Sequence, residues 1–554
     1  MSQPNTLQKY SINAAQSFIQ TAVFVDDRIF EGVSSGSGEP RLVSAPKKRK
    51  KAIKSVEGDE GKVPSGIDED IEEPAPDTYD IVNSFAKKQI VCSLYQPKST
   101  AKVSPASDIF PLCRAADVVI VDWDLFGDKG QRAKDLIDGL ITQAVRDVPE
   151  QLRLILVYTQ EINLFGVANE IYEKVHESIG DGFRPVEGEN GLAFHTDNSR
   201  VVVFGKPGRA RPDTEGRHVV EETLLAEVAI CEFAKLASGI LHAATLLGLA
   251  EIRNNSRKIL SKFNKDLDPA FLTHLAMCLP QEDASSHVIP LLVSEIEAVL
   301  EDVLPDPLIP DRVLEDWCLN VWEPAQHLSQ VFGQGNLDYR KIAKSICIKG
   351  FEKACEDHGQ IPKINTQKKK TEKIRSAAKI FLPYSESDVN HKFSQLMASR
   401  TFYGSGSKTL KLGSIIYEEE KDSYFLCVQP VCDSVRLKAP RTFVFVEMEK
   451  AQPGTGSASH VVVLPDGSLL ELLYQPKSYL CYAVSFTPDS SAQQIVANVD
   501  DDGVSYFEDV DGTKYHWVDQ LKASHAQRAV EQFASDLSRV GLTESEWLRR
   551  LSSK

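Results

Sequence analysis

Four runs in the N-terminal part of the chain, TAVFV, DVVIV, RLILVY and RVVVF, consist almost wholly of branched and aromatic side chains. An apolar run without alternation marks a strand covered on both faces, as in a parallel sheet between two helix layers. IVCSLYQP reads as a further strand. The stretches LQKYSINAAQSFIQ, YDIVNSFAKKQ, AKDLIDGLITQAV and NLFGVANEIYEKVHESI carry their apolar residues at helical spacing. Strands alternating with helices predict an α/β, doubly wound, parallel five-stranded domain over residues 1–212. Each of the four runs stops at a polar group: Asp26 and Asp27, then Asp122, then Thr159, then Lys206. In open sheets of this kind ligands gather beyond the strand carboxyl ends, where all five groups fall.

The rest of the chain changes character in steps. A segment from about 32 to 77, with SSGSG, the basic run Lys47–Lys51 and the acidic DEDIEE, has too few large apolar groups to repay ordering and reads as a disordered insertion. Residues 213–325 are helical in pattern and are expected to form a bundle packed on the sheet. Within them Val228–Ala250 is long enough to span a bilayer. It contains Glu232, Lys235 and His242, so one buried amphipathic core helix is expected instead. Residues 326–399 read as a helical and linker region containing the lysine-rich NTQKKKTEKIR. Residues 400–554 are β-rich and close with one or two amphipathic helices.

At 554 residues the chain is expected to form about two to four domains. A net charge of -16 argues against a broad basic face for nucleic acid. The ten cysteines show no zinc spacing and read as reduced thiols. Cys432, with no histidine partner in view, is expected to be a buried structural thiol. No signal peptide is visible at MSQPNTLQKY, and a cytoplasmic protein without a membrane partner is expected. Walker A, HExxH and kinase signatures are missing, so no turnover chemistry is expected beyond transfer to the chain's own aspartate.

The five polar groups suit carboxyl phosphorylation. Bringing a phosphoryl anion against a carboxylate requires a divalent cation, and Mg²⁺ takes oxygen ligands while keeping several waters. Asp26, Asp27 and Asp122 supply carboxylates, and the backbone carbonyl of Asp124 is placed to complete the shell. Asp122 doubles as the nucleophile. Lys206 and the Thr159 hydroxyl would stabilise charge on the transferred group.

These blocks resemble the receiver domain of two-component response regulators. DWDLFGDKG is similar to the loop after the family's phosphorylated aspartate, with Gly127 and Gly130 at the loop glycines. LVYT ends in the family's switch hydroxyl, and GKP matches its Lys-Pro. The resemblance covers roughly residues 7–210. It implies a flavodoxin-like fold, Mg²⁺, and phosphorylation of Asp122 by a partner histidine kinase. Phe126 stands where most members have proline, Gln160 follows the hydroxyl where a small residue is usual, and Val203 replaces the aromatic switch residue, with Phe204 beside it.

Two rival readings share these residues. One is an interaction scaffold with a vestigial receiver fold. The other is a haloacid-dehalogenase-like phosphatase using Asp122 and Asp124 as its DxD, although there the remaining acids follow the DxD rather than precede it. The helical and β-rich remainder has no basic recognition helix, so a DNA-binding output is not expected. Its architecture resembles receiver proteins of Detocs-type phage-defence systems. That resemblance implies a phosphate acceptor that buffers or relays a signal beside a separate effector protein.

Overall fold

The computed structural model describes residues 5–29, 77–98, 107–147, 151–209, 211, 218–277, 288–304, 307–324, 338–357, 380–381, 387–401, 403, 406–451, 459–464, 467–538 and 549–551. The insertion expected at 32–77, with its two charge runs, lies outside the described residues apart from Asp77, as does NTQKKKTEKIR. The chain divides into two compact units, Met1–Val321 and Trp322–Lys554.

In the first unit, α1 (Thr6–Phe18) begins with a capping box: Asn5 accepts from the Gln8 amide while the Gln8 side chain accepts from the Asn5 amide. There follow β1 (Thr21–Val25), α2 (Thr78–Ala86), β2 (Val91–Tyr95), α3 (Ile109–Ala115), β3 (Val118–Val121), α4 (Gln131–Asp147), β4 (Arg153–Thr159) and α5 (Leu164–Ile179). β5 (Arg184–Pro185), β6 (Ala193–His195) and β7 (Ser199–Gly205) complete a sheet of order β2-β1-β3-β4-β7-β6-β5. Its first five members are parallel, in the expected doubly wound arrangement. The sheet nevertheless has seven strands rather than five, because the β5–β6 hairpin adds antiparallel to β7.

The unbroken apolar runs are explained by the two faces. Ala22 and Phe24 of β1 join the core layer shared with α1 and α2, whereas Val23 and Val25 join the layer under α3, α4 and α5.

The second unit holds a nine-stranded antiparallel sheet: β8 (Ser414–Glu418), β9 (Ser423–Cys427), β10 (Arg441–Lys450), β11 (His460–Val463), β12 (Leu469–Tyr474), β13 (Cys481–Phe486), β14 (Asn498–Val499), β15 (Ser505–Glu508) and β16 (Lys514–Gln520). The order is β11-β12-β10-β9-β8-β16-β15-β14, with β13 also paired to β10. Helix Ala523–Leu537 lays Ala526, Ala529 and Phe533 on one face of that sheet. Cys432 is exposed on the short turn Val431–Asp433, which corrects the expectation of a buried thiol. The strand before it ends at Cys427, and its thiol is the buried one.

The expected single helix over Val228–Ala250 is two: α6 (Leu225–Leu236) and α7 (Ile240–Lys262), parted at Gly239, whose φ of 131 no side chain tolerates well. No helix among the described residues is long and apolar enough to cross a membrane. α6 packs into the same layer as α1 and α2, through Leu225, Ala229 and Phe233. Its charges are accounted for by an ionic network. Arg200 of β7 donates from Nε (2.9 Å) and Nη2 (2.6 Å) to Oε2 of buried Glu232, and also meets Glu189. Lys235 closes the network on Glu189 (2.9 Å) and Glu232 (2.6 Å). Removing only the guanidinium would leave buried Glu232, with Glu189, to the half-exposed Lys235 alone. Arg200→Met is expected to lower the unfolding free energy by about 3 kcal/mol in urea titration, a loss of the size found for breaking a buried pair.

Candidate functional site

The acids meet because of strand register. β1 and β3 are parallel neighbours with Val25 opposite Val121, so Asp26 and Asp122 leave the sheet side by side. The Asp122 amide donates to the Val25 carbonyl at 2.8 Å, which fixes that exit. Carboxylate oxygens of Asp26, Asp27 and Asp122 all lie within 4.8 Å of one another.

Lys206 follows β7, two strands from β3. Its amide donates to the Thr159 carbonyl at 2.7 Å. Its ammonium, 5.6 Å from the centre of the Tyr158 ring, reaches Asp122 Oδ1 at 2.9 Å and Asp26 Oδ2 at 3.1 Å. Lys206, Asp122 and Asp26 are 2%, 4% and 0% exposed, so this is a buried three-centre ion pair.

Thr159 is buried at the end of β4, between Asp122 and Lys206 in strand order. Its hydroxyl oxygen accepts from the Glu161 amide at 3.0 Å and makes no hydrogen bond to the acids. Asp124 opens the turn Leu125–Gly127, and its carboxylate accepts from the Lys129 amide at 2.8 Å. The structure thus brings Asp26, Asp27, Asp122 and Lys206 into one cluster, while Thr159 and Asp124 hydrogen-bond within their own loops.

The loop after Asp122 is shaped by two unusual positions. Phe126 has φ 62 and ψ 31, a left-handed conformation that costs a bulky residue on the order of 1 kcal/mol. In that conformation its amide donates to Asp27 Oδ2 at 2.8 Å. Gly130, at φ 83, lies against the buried Trp123; a Cβ there would stand 2.2 Å from the indole ring.

Two further residues at this edge were not anticipated. Arg28 follows the acidic pair; its charge acts favourably on the ionised forms of Asp27 and Asp122, and its amide donates to Asp26 Oδ1 at 2.8 Å. Arg211 donates to the carbonyls of Lys206 (2.7 Å), Thr159 (3.2 Å) and Glu161 (2.9 Å), tying the ends of β4 and β7 together. The only signal for either was a cation a few residues past a strand end.

The cluster has the chemistry of a hard-cation site. Asp27 Oδ1 is buried without a hydrogen-bond partner, and such an oxygen is satisfied by a metal ion. Burial and the repulsion of Asp26 push the Asp27 carboxyl up, against the hydrogen bonds from the Phe126 and Asp27 amides and the charge of Arg28. Burial pushes Asp122 up to about 7, opposed by Lys206 and reinforced by Asp26. Burial would lower the Lys206 ammonium, but Asp122 and Asp26 more than offset it and raise it.

An acid raised in the folded state keeps its proton longer there than in the unfolded chain. Stability of metal-free protein should therefore fall as pH rises from 3.8 towards about 7 and stay low above it. Asp122→Asn removes that loss. In EDTA, urea titrations should show the variant gaining about 2 kcal/mol over wild type between pH 5 and pH 8. A gain independent of pH would contradict this origin.

Comparison with known proteins reaches the same part of the chain. No curated protein and no solved structure matches it. The family model described as the response receiver domain matches residues 18–211, which end at the Arg211 that ties the site's edge. Residues 18–211 are a response-regulator receiver domain.

Proposed function

We propose that Asp122 accepts a phosphoryl group from a partner histidine kinase, with Mg²⁺ held by the carboxylates of Asp26, Asp27 and Asp122. The observation that carries the reading is the Lys206 ammonium, 2.9 Å from Asp122 Oδ1 and 3.1 Å from Asp26 Oδ2 inside a cluster of three acids. Bound Mg²⁺ supplies the positive charge that lets an anionic phosphoryl group approach an anionic carboxylate.

The residues divide the remaining work. Asp122 attacks phosphorus: a P–O bond to its carboxylate forms as the P–N bond of the phosphohistidine breaks, and the leaving imidazole keeps that electron pair. Lys206 orients the nucleophile and offers its ammonium to the incoming oxygens. Thr159 keeps its hydroxyl hydrogen for donation, since its oxygen is the acceptor for Glu161. The phosphatase alternative needs Asp124 as an acid/base, and one oxygen of that carboxylate is already engaged by the Lys129 amide within the loop. That favours the receiver reading.

In this reading the chain acts as a phosphate acceptor or relay beside a separate effector, a role in anti-phage signalling supported by resemblance of architecture. Incubation with kinase, radiolabelled ATP and Mg²⁺ is expected to label wild type and leave Asp122→Asn unlabelled. Lys206→Ala should slow labelling about a hundredfold. Equal labelling of wild type and Asp122→Asn would end the proposal.

A further inference from the structure

We infer that the C-terminal unit carries a binding site for a small phosphate monoester, formed by Arg400, Lys408 and Lys411 beside Tyr403 and Trp517. These residues line an open cavity of about 230 Å³, room for a group of mononucleotide size or less.

The cations are the unusual feature. Three of them converge on one cavity in a chain that carries 79 acidic against 63 basic side chains. Among the described residues none of the three pairs with a carboxylate or makes a side-chain hydrogen bond. Aromatic faces hold them instead. Lys408 Nζ lies 4.3 Å from the Tyr403 ring centre and 5.1 Å from that of Trp517, and the Arg400 guanidinium lies 5.7 Å from Tyr403. A π-face fixes a cation without neutralising it, so the charge remains for a ligand.

The neighbouring acid does not supply the missing partner. Asp519 is buried, and its oxygens accept from Ser399 Oγ (2.6 Å), Tyr403 Oη (2.9 Å) and the Gln520 amide (2.7 Å). It anchors the Tyr403 ring and leaves the cations alone. Lys411 is half-buried, and burial together with Arg400 lowers its ammonium; an anion between the two would relieve both effects.

The frame is set before any ligand arrives. The Ala497 amide donates to the Lys408 carbonyl (2.8 Å), the Leu410 amide to Ile495 (2.9 Å) and the Arg400 amide to Gln520 (2.8 Å). Three cations around one small cavity match the two charges and three oxygens of a phosphate monoester better than a single carboxylate.

The test is calorimetry on the full chain in EDTA, so that no metal loads the acid cluster of the other unit. The probes are inorganic phosphate, adenosine monophosphate, and vesicles containing phosphatidic acid. Binding of either soluble probe is expected, weakening with salt. Arg400→Gln and Lys411→Gln should each weaken it tenfold or more, while Lys450→Gln, whose ammonium pairs with Asp422, should leave it unchanged. Should either variant melt early, Lys408→Gln decides, its partners being rings alone. No heat with both soluble probes, binding to vesicles only, or unchanged affinity in the cation variants would overturn the assignment.

Discussion

The receiver domain is organised around one ammonium shared by two carboxylates in a place water barely reaches. Lys206 cannot leave without stranding Asp26 and Asp122, and Asp122, raised by burial, is held towards its ionised form by that ammonium. Much of the surrounding structure keeps that geometry. Parallel pairing of β1 with β3 puts the two acids side by side, and the Lys206–Thr159 main-chain bond sets where the lysine begins its reach. Arg211 then binds the carbonyls of both strand ends, and Gly205 leaves it room: a Cβ there would lie 2.7 Å from the guanidinium carbon. The strained Phe126 belongs to the same economy, since its left-handed backbone delivers an amide to Asp27.

How much of this was legible in the sequence follows from burial. Strands covered on both faces leave unbroken apolar runs, so β1, β3, β4 and β7 and the polar groups at their ends could be read directly. The hairpin β5–β6 left no such trace. β5 is two exposed residues and β6 three; β6 exists through pairing with β7, and β5 through pairing with β6. Strands β14 to β16 likewise carry no continuous apolar run: they mix exposed and buried positions in short pieces between aspartate-rich turns. The break at Gly239 was hidden because apolar residues continue on both sides of it. Phe204, beside the position where the family carries an aromatic, faces the α1 layer and stacks on His218, while Val203 faces the other layer. Adjacent residues on a strand point to opposite faces, and a neighbour cannot stand in for the missing one.

α6 shows why the helical region is not a separate body. It supplies the layer beside β4 and β7, and its Glu232 is held by Arg200 of β7. A helix with a charge in its apolar stretch looks ambiguous in sequence. Once Arg200 is seen beneath it, the charge becomes the fastening between helix and sheet.

The hairpin on β7 also changes what the sheet can do with other chains. At that margin the last strand is two residues long and includes Pro185, a poor template for further pairing. The opposite margin is β2, five residues long, with Val91 70% exposed and no strand beyond it among those described. Strand addition between copies of this domain, whether productive assembly or the first step of aggregation, therefore has a polarity: it starts at β2, and it stops at the hairpin.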